Sequence, residues 1–358
     1  MYHQTLFLDM KVVIDEKIPY LREALTAMGV DVVALPGDAI ANGDLVDAEA
    51  LFVRTRTKCD ATLLGGTAVR FIGTATIGYD HIDSDYCREA GITWTNAAGC
   101  NAGAVLQYVQ SVIYSWARDN GCAIAGLTLG IVGLGEIGSR VAAWAGSVGL
   151  RVLANDPPKA DAGVSGLVSL DEIAEQSDII TFHPTLNADG VYKSHHLADA
   201  RFFSSLRHCR LLINASRGAV VDNTALLDAL QSGAVQCVAL DVWEGEPDIN
   251  LVLLDKAYVA TPHIAGYSAE GKMNATSIVL DKFARYINYK GEVPVLGLDA
   301  PLPPVVEAAS EQEAFLAIYS PLDDTAMLKN APGDFEWLRN NYKLRREQMA
   351  FKINISNR

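Results

Sequence analysis

The chain has 358 residues, of which 50% are hydrophobic and 20% charged; this is globular composition and excludes a disordered chain. Lys and Arg number 29 against 43 Asp and Glu, and the net charge of −14 argues against a general nucleic-acid-binding surface. The length predicts two or three domains rather than one. The six cysteines, at 59, 87, 100, 122, 209 and 237, have no CxxC spacing and read as buried, reduced thiols. No apolar run reaches the roughly 20 residues of a membrane span. The N-terminal residues lack the pattern of a secretory signal, so a cytoplasmic protein is expected.

Residues 1–9 read as a short appendage before a first strand at 11–15. Strands are expected at 31–35, 50–54, 70–74 and 92–95, with a helix over 19–28. Residues 99–118 place Val105, Tyr108, Val109, Val112, Ile113 and Trp116 at helical spacing, which predicts one long helix. A second series follows, with strands at 128–132, 151–155, 179–183, 210–214, 235–241 and 257–261. Residues 271–289 read as a helix returning to the first domain. Four of the thirteen prolines fall in 294–306, which reads as a linker. Beyond it, helices are expected at 311–319 and 335–351. Alternating strand and helix means an α/β fold. The expected architecture is two doubly wound parallel-sheet (Rossmann-like) domains plus a small α+β C-terminal unit. The first domain would span 10–107, completed by 269–293, the second 108–268 and the third 298–358.

Thr128–Gly138 contains the most informative local motif, G-x-G-x-x-G at Gly133, Gly135 and Gly138, between an apolar strand and an apolar-periodic helix that includes Ile137. Gly133 permits the tight turn, Gly135 the close approach of a pyrophosphate, and Gly138 close helix–strand packing. The helix N-terminus offers N–H groups and a positive dipole end to the phosphates. Asp156 ends the next strand, where a carboxylate accepts from the ribose hydroxyls and repels a 2′-phosphate, so NAD is expected rather than NADP. Lys159 reads as a solvated lysine.

Three further strings place reactive side chains after buried strands, at the edge that faces the ligand crevice of a doubly wound sheet. Arg217 follows Leu211–Asn214, and its guanidinium suits bidentate binding of a carboxylate. Glu244 and Glu246 follow the strand that ends in Asp241. His263 follows the last strand, where a histidine beside a carboxylate is a natural proton shuttle. Together these read as hydride transfer on a 2-hydroxy acid, with His263 taking the hydroxyl proton, Arg217 holding the carboxylate and Glu246 supporting His263. No metal site is expected. His81, His183, His195, His196 and His208 lack a second ligand at useful spacing, and His195–His196 reads as a surface pair.

These motifs resemble the D-isomer-specific 2-hydroxyacid dehydrogenases. The match includes the glycine motif, Asn214–Gly218, Asp241–Pro247 and Pro262–His263. Strings at 53–58, 71–81, 98–102, 155–158, 332–335 and 344–347 make the chain look most like the members that oxidise 4-phospho-D-erythronate in vitamin B6 (pyridoxal phosphate) biosynthesis. The resemblance implies catalytic Arg217, Glu246 and His263. It implies NAD contacts at Ile137, Asp156, Pro184, Ala215, Ser216, Arg217, Asp241 and Gly266, and substrate contacts at Thr55, Thr76 and Tyr267. It also implies a homodimer held by the C-terminal unit. Two positions depart from the family pattern. His183-Pro184-Thr185 stands where His-Thr-Pro is usual, and Pro184 has no N–H to give; Gln107 stands where a Glu is usual. Arg54, Arg56 and Lys58 form a basic cluster, and Arg54 is expected to help hold the substrate phosphate. Two other functions fit the same motifs: a different D-2-hydroxyacid dehydrogenase, such as one for 3-phosphoglycerate, and a non-catalytic NAD-sensing regulator.

Overall fold

A computed structural model describes residues 10–298 and 303–356. The expected appendage, residues 1–9, and part of the expected linker lie outside the described residues. The chain divides into two compact units, one of residues 10–101 and 268–298, the other of residues 102–267 and 303–356.

In the first unit β1 (Lys11–Asp15), β2 (Asp31–Leu35), β3 (Ala50–Val53), β4 (Phe71–Thr74) and β5 (Thr93–Asn96) form a parallel sheet in the order β2-β1-β3-β4-β5. Successive side chains on a strand point to opposite faces. Accordingly Val12, Ile14 and Phe52 enter one core, while Val13, Leu51 and Val53 enter another. The returning helix, Ala269–Tyr286, completes the first of these. Its Phe283 ring lies 5.3 Å from both Phe52 and Phe71.

In the second unit β6 (Thr128–Val132), β7 (Arg151–Asn155), β8 (Ile179–Phe182), β9 (Leu211–Asn214), β10 (Cys237–Leu240) and β11 (Val259–Ala260) form a parallel sheet in the order β11-β10-β9-β8-β6-β7. The chain steps outward from β6 to β7 and then to β8 on the other side of β6. The carboxyl ends of β6 and β8 therefore flank a topological switch point, where doubly wound sheets bind ligands. Apolar runs such as Leu211–Ile213 are buried on both faces, with Leu211 and Ile213 in one core and Leu212 in the other. The predicted long helix is Ala102–Asp119, and it packs against the first of these cores.

Residues 303–356 add β12 (Val306–Ala308) and β13 (Ile353–Ile355), paired in parallel. They cluster with the second unit because they fill both of its cores: Phe315 and Tyr319 in one, Leu328 and Phe335 in the other. Two elements differ from expectation. A helix, Pro321–Asn330, opens with Pro at its first position and Asp323 and Asp324 in its first turn, a sound start signal that the sequence reading passed over. The single helix expected over 335–351 is instead Phe335–Asn340, followed by an irregular segment and a short 3₁₀ turn, Gln348–Ala350. Tertiary contacts of Tyr342 and Arg345, described below, hold that segment out of helix.

Candidate active site

The glycine motif sits at the switch point as the sequence implies. Gly133 has φ +90°, a left-handed conformation that favours glycine, and a Cβ there would lie 2.6 Å from Pro184 N and 2.7 Å from His183 C. Gly138 packs so closely on the Gly133 carbonyl that no side chain fits between them. Gly135 opens the helix Glu136–Ser147, and a Cβ there would meet nothing within 4 Å. That open space lies beside the first N–H groups of the helix, on Glu136, Ile137 and Gly138, which have no intrahelical acceptor. It fits the pyrophosphate of a dinucleotide.

Asp156 caps the helix Pro157–Asp161 and reaches back to the glycine loop. One carboxylate oxygen accepts from Leu134 N at 2.8 Å and the other from Lys159 N at 3.1 Å. A carboxylate has about four acceptor sites, so lone pairs remain for ribose hydroxyls. Lys159 is not a solvated lysine: its Nζ donates to the Leu134 carbonyl at 2.6 Å and so braces the same loop. Beside it, burial pushes the His183 imidazole down to about pKa 3, so that ring is neutral. Its Nε2 pairs with Thr181 Oγ1 at 2.9 Å.

The loop after β9 is held by Asn214. Its Oδ1 accepts from the Ser216 N–H and hydroxyl, and its Nδ2 donates to the Arg217 carbonyl at 3.0 Å. Ala215 and Ser216 are buried, while Arg217 is half-exposed. Gly218 is required next, because a Cβ would run into the Trp243 carbonyl. Asp241 is a buried hub. It accepts from Thr261 Oγ1 at 2.7 Å, Ile264 N at 2.7 Å and Ala265 N at 2.9 Å. Burial raises its pKa, against the opposing pull of His263 and these donors. Asp241 thereby fixes the loop that carries His263, Gly266 and Tyr267.

His263 and Glu246 meet as the sequence reading requires, with Nδ1 2.8 Å from Oε2. The other carboxylate oxygen accepts from Trp243 N at 2.9 Å, and the Trp243 ring is locked by donation to the Thr261 carbonyl at 3.1 Å. Burial alone would raise the Glu246 pKa. The bond and charge of His263, the Trp243 N–H and the charge of Arg339 outweigh it and hold the carboxyl below its ordinary value. With Nδ1 facing a carboxylate, Nε2 is the ring nitrogen that could exchange a proton with a bound group. Arg217, Glu246 and His263 line one pocket of about 310 Å³, together with Leu186, Trp243 and Glu244.

Sequence reasoning missed two residues here. Arg339 places Nη1 3.8 Å from Glu246 Oε2 and donates from Nε to the Tyr267 hydroxyl at 3.3 Å. His196 is not merely one of a surface pair. Its ring stacks on His195 with centroids 4.1 Å apart, and its Nε2 lies 2.5 Å from Glu244 Oε1, on the pocket wall. Both contacts join residues 48 or more positions apart, which no local pattern signals.

The remaining expected substrate residues lie in the first unit. Thr55 is exposed in the turn after β3. Thr76 donates to the Gly78 carbonyl at 2.8 Å and shares a 2.7 Å contact with Thr74. The basic cluster is largely committed to acids: Arg54 pairs with buried Asp15 at 2.9 Å, and Lys58 with Asp60 at 3.0 Å.

Comparison with known proteins agrees with this geometry. Residues 103–265 match the family described as D-isomer specific 2-hydroxyacid dehydrogenase, NAD binding domain. The chain is 47% identical to the erythronate-4-phosphate dehydrogenase of Bacteroides fragilis, covering 97% of this chain and 100% of that one. It is 43% identical to that of Citrobacter koseri, covering 96% and 94%. A solved glyoxylate reductase from Paecilomyes thermophila superposes with a TM-score of 0.65 at 27% identity, over 80% of this chain and 97% of that one. The Aquifex aeolicus D-lactate dehydrogenase complexed with NAD and lactic acid gives 0.61 at 25% identity, over 78% and 95%. The chain belongs to the D-isomer specific 2-hydroxyacid dehydrogenase family, among the relatives named erythronate-4-phosphate dehydrogenase.

Proposed function

We propose that this NAD-dependent dehydrogenase oxidises the C2 hydroxyl of 4-phospho-D-erythronate to (R)-3-hydroxy-2-oxo-4-phosphooxybutanoate, a step toward pyridoxal 5′-phosphate. The observation that carries the reading is the His263–Glu246 pair sharing one pocket with Arg217 in a chain nearly half identical to named erythronate-4-phosphate dehydrogenases. His263 Nε2 takes the hydroxyl proton while Nδ1 keeps its own proton and donates it in a hydrogen bond to Glu246, whose charge stabilises the imidazolium that forms. Arg217 holds the substrate carboxylate and orients C2; one of its N–H groups is already fixed on the Ser216 carbonyl at 2.8 Å, which aims the fork. Gly133–Gly138, Asp156, Ala215–Arg217, Asp241 and Gly266 would hold NAD, which when bound would supply the acceptor for the hydride leaving C2. Thr55, Thr76 and Tyr267 contact substrate. For the phosphate, Arg54 is the first candidate from the sequence, although its bond to Asp15 already occupies one donor. The protein works in the cytoplasm as a homodimer paired through residues 303–356.

The test is NADH formation with 4-phospho-D-erythronate, 3-phosphoglycerate and D-lactate side by side. A kcat/KM for the first at least about 100-fold above the others is expected. Preference for 3-phosphoglycerate would reassign the substrate, and NAD binding without turnover of any of them would favour a sensing role. Turnover by His263→Ala at the wild-type rate would sink the mechanism.

A further inference from the structure

His263 stands in a demanding conformation. Its φ is +59°, a left-handed value that a non-glycine residue keeps only where its surroundings impose it. Asp241 imposes half of it by taking the Ile264 and Ala265 N–H groups. The carbonyls of the same two residues are taken by Arg345, about 80 positions further along. Its Nη1 donates to the Ile264 carbonyl at 3.0 Å, and its Nη2 donates to the Ala265 carbonyl at 2.5 Å and to the Ala104 carbonyl at 3.1 Å. Its Nε donates to Gln107 Oε1 at 3.0 Å, while the Gln107 amide donates to the Arg346 carbonyl at 3.2 Å. Arg345 is half-buried, and its guanidinium carbon lies 4.3 Å from the centre of the Tyr319 ring.

We propose that Arg345 is the positioning residue of the catalytic loop, its planar fork gripping the carbonyls of Ile264 and Ala265 so that His263 is held against Glu246. Asp241 and Arg345 seize the same short segment from opposite sides, one through its donors and the other through its acceptors. A flexible ammonium cannot reproduce a fork that meets three carbonyls and an amide at once. The neutral Gln107 fits this design: it accepts from Arg345 and donates to the next residue's carbonyl, and a carboxylate there could do only the first. The assignment rests on the proposed role of His263 only where turnover is concerned, because the geometry of the loop can be read without substrate.

The experiment compares wild type, Arg345→Lys and Gln107→Ala as full-length protein. Hydrogen exchange of the Ile264 and Ala265 amides is expected to quicken at least tenfold in Arg345→Lys and less in Gln107→Ala, while the amides of Leu129–Val132 keep their protection. With 4-phospho-D-erythronate, kcat per NAD-binding site is expected to fall about 10–100-fold, with KM for NAD within about threefold of wild type. The primary isotope effect from C2-deuterated substrate should rise, which a general loss of folded protein would not produce. Unchanged exchange at Ile264 and Ala265, or quickened exchange with kcat per site intact, overturns the proposal. If wild type turns over none of this substrate, the functional reading has failed and exchange alone decides the role of Arg345.

Discussion

Replacing Glu246 by Gln tests the centre of the site with the smallest change of shape. The carboxylate has two oxygens, and each accepts one donor: Trp243 N at 2.9 Å and His263 Nδ1 at 2.8 Å. A glutamine has one oxygen and one amide nitrogen, so it can serve only one of those donors while turning N–H groups toward the other. Leaving a buried donor without an acceptor costs about 1–3 kcal/mol. The imidazolium that forms as the substrate proton is taken also loses its counter-charge, and hydrogen bonds to charged groups contribute about 1.5–3 kcal/mol. Only the second loss is felt specifically as the proton moves, so a barrier increase of about 1.5–3 kcal/mol is expected. At about 1.36 kcal/mol per tenfold, kcat/KM should fall about 10- to 200-fold. NADH formation measures it, and NAD affinity should stay within about threefold, because Glu246 lies outside the nucleotide loop. The pH dependence has a definite sign. Because the Glu246 pKa is lowered, the wild-type carboxylate stays charged as pH falls through the ordinary glutamate range. Its support is present above that range and is lost only when pH drops through the lowered value. The Gln variant lacks that step. A Gln variant within threefold of wild type at neutral pH would refute the assignment of Glu246 as the partner of His263.

Three other outcomes follow from the structure. Asp156→Ser should relax cofactor choice, raising the NADP-to-NAD ratio of kcat/KM at least tenfold, because the carboxylate goes while Lys159 stays nearby; an unchanged ratio would place the ribose elsewhere. Among the described residues, Arg54→Ala leaves the buried Asp15 carboxylate the Lys17 N–H at 2.9 Å as its donor, so thermal unfolding should show a loss of about 2–4 kcal/mol even if KM for substrate is unaltered. A KM raised more than about tenfold in correctly folded Arg54→Ala would instead point to the phosphate. Burial pushes the Cys59 and Cys209 thiols up to about 12, so at pH 8 on the order of one in ten thousand is thiolate. Both should resist iodoacetamide in native protein, as mass spectrometry would report, and prompt labelling would contradict their burial.

The parts of this fold legible in the sequence are those that local chemistry dictates. β9 reads as a strand because Leu211, Leu212 and Ile213 are all apolar, and its end reads as a site because Asn214 and Arg217 follow at once. Each glycine of the motif has its own steric reason, visible as a positive φ at Gly133, a close carbonyl at Gly138 and open space at Gly135. His263 and Glu246 belong to separate strings, but both follow neighbouring strands of one sheet, so their meeting could be anticipated. Arg339, Arg345 and His196 could not, because a lone arginine or histidine in a polar stretch carries no record of its distant partner. The segment after Asn340 was misjudged for the same reason. Its apolar spacing permits a helix, and its actual course follows from where the Arg345 fork and the Tyr342 hydroxyl must go, the latter 3.3 Å from Asp324. Lys159 shows the converse error: a charge assumed to face water spends its donor on a loop carbonyl.

The grip of Arg345 on the Ile264 and Ala265 carbonyls bears on how activity arises during synthesis. The nucleotide-binding strands and His263 leave the ribosome before Arg345 does, and at about 5–20 residues per second the interval is several seconds. In that interval the nascent chain holds the nucleotide loop and the base but lacks the residue that sets the base in place. A chain cut short just before Arg345 would therefore retain Arg217, Glu246 and His263, the side chains proposed as catalytic, and lack the fork that sets the His263 loop. The distant arginine thus makes near-completion of the chain a condition for setting the His263 loop in place.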